Sequence, residues 1–123
     1  MSGKIKVAVL GVGALGQHHA RIYSELQKAG KIEFVGLYDA DTDRASEIAK
    51  EHNTQVLASL DAVLGAADAL SIVTPTITHF DLATQALEAG IHVLVEKPMT
   101  EESSQASKLV QLAQDRNCVL QVG

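Results

Sequence analysis

Apolar residues fall along this chain in short bursts separated by longer amphipathic stretches. The run from Lys4 to Leu10 is rich in β-branched residues and stops at a glycine, which reads as a buried strand. A helix from about Leu15 to Ala29 follows, with Gly30 placed to end it. Ile32 to Tyr38 is a second strand closed by Asp39, and Asp41 or Thr42 stands ready to cap a helix running to about His52. Gln55-Val56-Leu57 predicts a short third strand, and Ser59 caps a helical turn through Leu64. The fourth strand, Ala69 to Thr74, is stopped by Pro75, which has no N–H to give to a ladder. Thr78 and Asp81 have capping-box spacing ahead of a helix that reaches Ala89 and ends at Gly90. Ile91 to Glu96 is the fifth strand, closed by Pro98. Thr100 is expected to cap a helix from about Glu101 to Asn117, and Cys118 to Val122 makes the sixth strand.

Strands alternate with helices and no hairpin signal interrupts them. This predicts an α/β fold: a doubly wound parallel sheet of about six strands with helices on both faces. Such a sheet binds its ligand outside the carboxyl ends of the strands. Gly11, Asp39, Thr74 and Lys97 each fall just past a strand, so all four are expected at one edge.

Length and composition narrow the class. At 123 residues the chain is read as one domain, 1–123, large enough for a single core. Hydrophobic residues make up 46% and charged residues 20%, an ordinary globular balance. The net charge is −5 and no basic cluster occurs, which argues against a nucleic-acid partner. No apolar run is long enough for a membrane span, no signal peptide is evident, and Cys118 is the one cysteine, so a cytoplasmic location is expected.

Gly11-Val12-Gly13-Ala14-Leu15-Gly16 matches the G-x-G-x-x-G pattern, directly after a predicted strand and at the opening of a helix. In that setting Gly11 permits the tight turn, Gly13 lets the backbone approach a pyrophosphate, and Gly16 lets the helix pack on the sheet. The helix start offers free N–H groups and partial positive charge to the diphosphate. Asp39 follows at roughly the 20-residue spacing of this fingerprint, where a carboxylate accepts the ribose hydroxyls and repels the extra phosphate of NADP. NAD is therefore favoured as cofactor over NADP. Ala40 offers no compensating charge, whereas Arg44 lies near enough in sequence to soften the preference. Enzymes that use S-adenosylmethionine also carry a glycine-rich turn and an acidic residue, so this half of the chain leaves both classes open.

The later loops separate them. Thr74-Pro75-Thr76-Ile77-Thr78-His79 follows the fourth strand and Glu96-Lys97-Pro98-Met99-Thr100 the fifth. A lysine at a strand's carboxyl end faces the ligand crevice, and partial burial there would lower its pKa and suit it to proton exchange. Taken with His19 behind the glycine loop, the three loops resemble the glucose–fructose oxidoreductase / inositol dehydrogenase (Gfo/Idh/MocA) family over essentially the whole chain. The resemblance implies a dinucleotide-binding Rossmann domain followed by a second α/β domain. It implies oxidation or reduction of a carbinol carbon on a sugar, cyclitol or nucleotide-sugar substrate with NAD or NADP. It further implies that Lys97 is catalytic, near the reacting hydroxyl, that Glu96, Thr74 and Pro75 line the nicotinamide side, and that Thr76, His79 and Lys97 join the Gly11–Gly16 loop and Asp39 among the cofactor-binding residues.

On this reading the chain holds only the cofactor half. The sugar-like substrate would be bound mainly by a second domain absent from it, and turnover by the chain alone is expected to be slight. An uncovered sheet face favours a homo-oligomer. A stand-alone dinucleotide sensor or partner-binding module is the alternative. No metal is expected: His18 and His19 point about 100° apart on a helix, and no paired-cysteine or His-Glu-x-x-His spacing occurs.

Overall fold

The computed structural model describes residues 3–123. Five parallel strands form one sheet in the order β2-β1-β3-β4-β5, from β1 (Ile5–Leu10), β2 (Ile32–Tyr38), β3 (Ala69–Ile72), β4 (His92–Val95) and β5 (Leu120–Val122). The helices are α1 (Ala14–Lys28), α2 (Thr42–Glu51), α3 (Leu60–Ala66), α4 (His79–Glu88) and α5 (Ser103–Asp115), with a 3-10 turn at Thr76–Thr78. Among the described residues no helix is long and apolar enough to cross a membrane.

The alternation of β1 explains the two layers. Val7 and Val9 enter a cluster with Ala20, Phe34, Leu37 and Ile48 beneath α1 and α2. Ala8 and Leu10 enter a second with Leu70, Ile72, Val93, Val95, Leu87 and Leu109 beneath α3, α4 and α5. Strand side chains alternate faces, so a central strand apolar at every position from Val7 to Leu10 is buried on both sides. Each fully buried leucine or valine contributes about 1.5–3 kcal/mol relative to exposure.

Helix ends follow the chain's punctuation. Gly30 and Gly90 take positive φ of 76° and 80° just past α1 and α4. Asn53 and Asn117, both at φ 54°, end α2 and α5 in the same way. Asp41 caps α2 by accepting the Arg44 N–H, and Ser59 caps α3 by accepting the Ala62 N–H. Two expected caps are different. Thr78 precedes α4 without a side-chain cap, its hydroxyl bonding Thr74 and Pro75 instead. Thr100 lies ahead of α5, whose N-cap is Glu102, and donates its hydroxyl to the Glu102 carbonyl.

The expected third strand contracts to one parallel bridge between Leu37 and Val56, beyond β2 at the sheet edge. Leu37 N–H donates to the Gln55 carbonyl and Leu57 N–H returns to the Leu37 carbonyl. Gly36 permits this approach: its φ is 151°, and a Cβ there would stand 2.8 Å from both the Gln55 carbonyl oxygen and Leu57 Cγ.

Candidate functional site: the carboxyl edge of the sheet

The glycine loop is folded onto its neighbours before any ligand is considered. Gly11, at φ 89°, donates its N–H to the Tyr38 carbonyl at 2.8 Å, and a Cβ there would meet the Val73 carbonyl oxygen at 2.7 Å. Gly16 presses on the same turn, because a Cβ on it would lie 1.8 Å from the Gly11 oxygen. Gly13 differs from both: nothing stands within 4 Å of where its Cβ would be, and its φ of −67° suits any residue. The fold requires glycine at Gly11 and Gly16 but not at Gly13.

The first intrahelical bond of α1 runs from Gln17 N–H to Gly13 O. The N–H groups of Ala14, Leu15 and Gly16 precede it and have no intrahelical acceptor, which is the arrangement that receives an anion. Val12 has another task. Its side chain is fully buried, and its N–H donates to Asp39 at 2.8 Å. Val12 thus ties the loop to the acidic residue rather than offering its amide to a ligand.

Asp39 is 8% exposed and accepts on both oxygens. Oδ2 takes the Val12 N–H, Oδ1 takes the Asp41 N–H at 2.8 Å, and Arg44 Nη2 reaches both oxygens at 3.1 and 3.0 Å. Burial alone would push the carboxyl pKa up. The two backbone N–H donors and the Arg44 guanidinium outweigh it and hold Asp39 below its ordinary value. Arg44, distant from the glycine loop in sequence, is in fact its neighbour.

These groups wall a cleft of about 630 Å³ whose lining includes Gly11, Gly13, Asp39, Arg44, Thr74 and Pro75. Tyr38, Ala40, Val73 and Thr78 complete it. The loops after β1, β2 and β3 therefore meet at one mouth. A larger hollow of about 710 Å³ lies at the opposite edge, at the amino ends of the strands, and none of the motif residues lines it.

The remaining sequence-selected residues are arranged around the turn after β4. Lys97 is exposed, so the partial burial expected of it is absent in this chain. Glu96, just ahead of it, bonds His19 Nε2 at 2.8 Å. His79 is 2% exposed, and both ring nitrogens face backbone carbonyls, Pro98 O at 3.0 Å and Thr74 O at 2.8 Å. No ring nitrogen of His79 is left for a ligand. It joins the Thr74 loop to the Pro98 turn from within. Thr76 sits half-buried in the 3-10 turn beside the cleft. Among the described residues no group of three or more metal-ligating side chains occurs.

A parallel sheet with a glycine loop at the first strand–helix junction, an acidic residue closing the second strand and a cleft at the carboxyl edge defines a dinucleotide-binding Rossmann domain. Comparison with known proteins places it more narrowly. The chain belongs to the Gfo/Idh/MocA oxidoreductase family, NAD-binding Rossmann fold, whose model matches residues 5–123. It is 41% identical over 119 residues to a UDP-N-acetylglucosamine 3-dehydrogenase of Acidithiobacillus ferrooxidans, covering 97% of this chain and 36% of that protein. It is 35% identical over 129 residues to the scyllo-inositol 2-dehydrogenase (NAD(+)) of Bacillus subtilis, covering 100% of this chain and 36% of that protein. The solved structure of the Acidithiobacillus ferrooxidans enzyme superposes with a TM-score of 0.91 over 98% of this chain and 38% of that one. GenD2 from gentamicin A biosynthesis, solved in complex with NAD, superposes with a TM-score of 0.88 at 31% identity, over 98% of this chain and 34% of that one. The chain thus spans little more than a third of the length of these relatives.

Proposed function

We propose that this chain is the cofactor-binding part of an NAD-dependent dehydrogenase that acts on a hydroxyl carbon of a sugar-like substrate, with a nucleotide sugar as the favoured class. The observation that carries the reading is Gly13: a glycine with open space where its Cβ would be, at the mouth of a helix with unpartnered N–H groups. Such a position is explained by a ligand that passes close to the backbone.

The residues fit a dinucleotide. Ala14, Leu15 and Gly16 would donate to the pyrophosphate, and Asp39 would accept from the adenosine ribose. Asp39 also disfavours the added phosphate of NADP, and its pairing with Arg44 engages the nearby cation that would otherwise welcome that phosphate. NAD is preferred on this ground. When bound, the nicotinamide supplies the two-electron acceptor. Lys97, on the turn after β4, handles the proton of the reacting hydroxyl, and Thr74 and Pro75 border the same side of the cleft. The substrate pocket is placed largely on a second domain, as the relatives' greater length supports.

A reducing, cytoplasmic setting suits the free Cys118. Self-association would run through the edge strand β5 and its neighbouring surface, where Val119 and Val122 are exposed.

Lys97→Ala tests the division of labour. In a catalytically competent polypeptide containing this chain, NADH affinity should stay within about twofold while turnover of UDP-N-acetylglucosamine falls on the order of 100-fold or more. Equal loss of NADH affinity and turnover would remove Lys97 from the proton role.

A further inference from the structure

Three polar side chains with no part in the chemistry above run in a line beneath the Lys97 turn. Tyr23 Oη lies 2.6 Å from Ser71 Oγ. Ser71 Oγ lies 2.9 Å from His19 Nδ1, and His19 Nε2 lies 2.8 Å from Glu96 Oε2. The line, which ends on Glu96, joins three elements: His19 and Tyr23 sit one turn apart on α1, Ser71 is within β3, and Glu96 immediately follows β4. The Tyr23 ring also meets His19 and Phe34 edge-on, at centroid distances of 6.4 and 5.9 Å.

A serine, a histidine and a carboxylate in line have the composition of a nucleophilic triad. Burial excludes that use. Ser71 is 0% exposed, locked between sheet and helix, and no substrate carbonyl can reach its oxygen.

With His19 as the neutral imidazole, donor and acceptor chemistry gives the line one direction. The Glu96 carboxylate has no hydrogen to give, so His19 Nε2 donates to it. A neutral imidazole has a single N–H, so His19 Nδ1 accepts from the Ser71 hydroxyl, and Ser71 in turn accepts from the Tyr23 hydroxyl. Each contact is satisfied in this arrangement. Second partners of this kind fix the tautomer and ring orientation of a histidine.

We infer that His19 is a positioning residue. Held as the Nε2–H tautomer by Ser71 and Tyr23, it ties Glu96, and with it the turn carrying Lys97, to the helix whose amino end forms the glycine loop. His79 pins the far flank of the same turn through the Pro98 carbonyl. Lys97 is thereby exposed on a segment anchored on both sides. The functional meaning of this rests on the dehydrogenase reading, whereas its test uses no cofactor.

The test is the two-bond 1H–15N correlation spectrum of the 15N-histidine-labelled chain, which reports each ring's tautomer. His19 should show the Nε2–H form alone. Ser71→Ala removes the donor to Nδ1 and should release His19 into a mixture of both tautomers. In the backbone amide spectrum, His19→Ala should move the resonances of Glu96, Lys97 and Met99. His19→Gln, which restores an N–H donor near the Nε2 position, should bring them back toward wild type. A wild-type His19 in the Nδ1–H form or averaging between forms would overturn the inference. So would Glu96, Lys97 and Met99 amides unmoved in a folded His19→Ala chain. Should His19→Ala fail to fold, the Ser71→Ala tautomer decides. Failure of the chain to bind NADH would sink the cofactor reading and leave this result standing.

Discussion

Replacing Gly13 by alanine separates what the fold needs from what a ligand needs. The backbone at Gly13 has φ −67°, and no atom lies within 4 Å of the new Cβ. Two small effects on stability oppose one another. Alanine restricts the unfolded chain, which favours folding by about 0.4–1 kcal/mol. It also serves worse than glycine as an N-cap, a loss of up to about 1 kcal/mol. The net change should stay within about 1 kcal/mol, and thermal unfolding should move by no more than about 4 °C. Binding should respond differently, because the methyl group occupies the line along which the pyrophosphate approaches the N–H groups of α1. Loss of a single hydrogen bond to a charged phosphate costs about 1.5–3 kcal/mol, or about 10- to 150-fold in Kd. Calorimetric titration of NADH with a parallel melting curve reads both quantities. Gly16→Ala is the contrasting control, since its Cβ would lie 1.8 Å from the Gly11 oxygen, so stability and binding should fall together. A Gly13→Ala chain that binds NADH within twofold of wild type would refute the reasoning and reduce the glycine loop to a turn.

Asp39 predicts a pH dependence. Its folded pKa lies below the ordinary carboxylate value, since Val12, Asp41 and Arg44 outweigh burial. Its contribution to stability is therefore complete above the ordinary carboxylate range and is lost as pH falls through that range toward the lowered folded value. Urea midpoints measured from neutral to acid pH should show Asp39→Asn flattening that acid limb, and an unchanged limb would contradict the assignment. Gly36→Ala should cost about 1–3 kcal/mol, because its Cβ would strike the Gln55 carbonyl at a φ of 151°. The same variant should bind NADH within twofold of wild type wherever it is folded, and a larger loss would place Gly36 in the cofactor site.

What the sequence made legible was what local chemistry decides. Gly30 and Gly90 end helices because left-handed backbone suits glycine, and Asp41 and Ser59 cap helices through bonds only a few residues long. The glycine loop was readable because its three glycines sit at one strand–helix junction. Contacts across the fold were less readable. The third strand shrank to a bridge because it is a sheet edge with one neighbour, β2. Val12 belongs to the loop pattern, yet its N–H reaches Asp39 on the next strand. Arg44 lines the cleft because the first turn of α2 brings it back over Asp39. The line from Tyr23 to Glu96 joins residues of three elements that only the packed sheet makes adjacent. Lys97 was placed correctly after β4, but its exposure depends on what else covers that edge.

The most direct measurement is a titration of the chain into NADH and NADPH, followed by nicotinamide fluorescence, for which the absence of tryptophan leaves a clear background. Saturable binding of NADH, tighter than NADPH by about tenfold through the charge of Asp39, is the predicted result. Absence of saturable binding by either nucleotide at millimolar concentration would contradict the assignment of this chain as a working dinucleotide site.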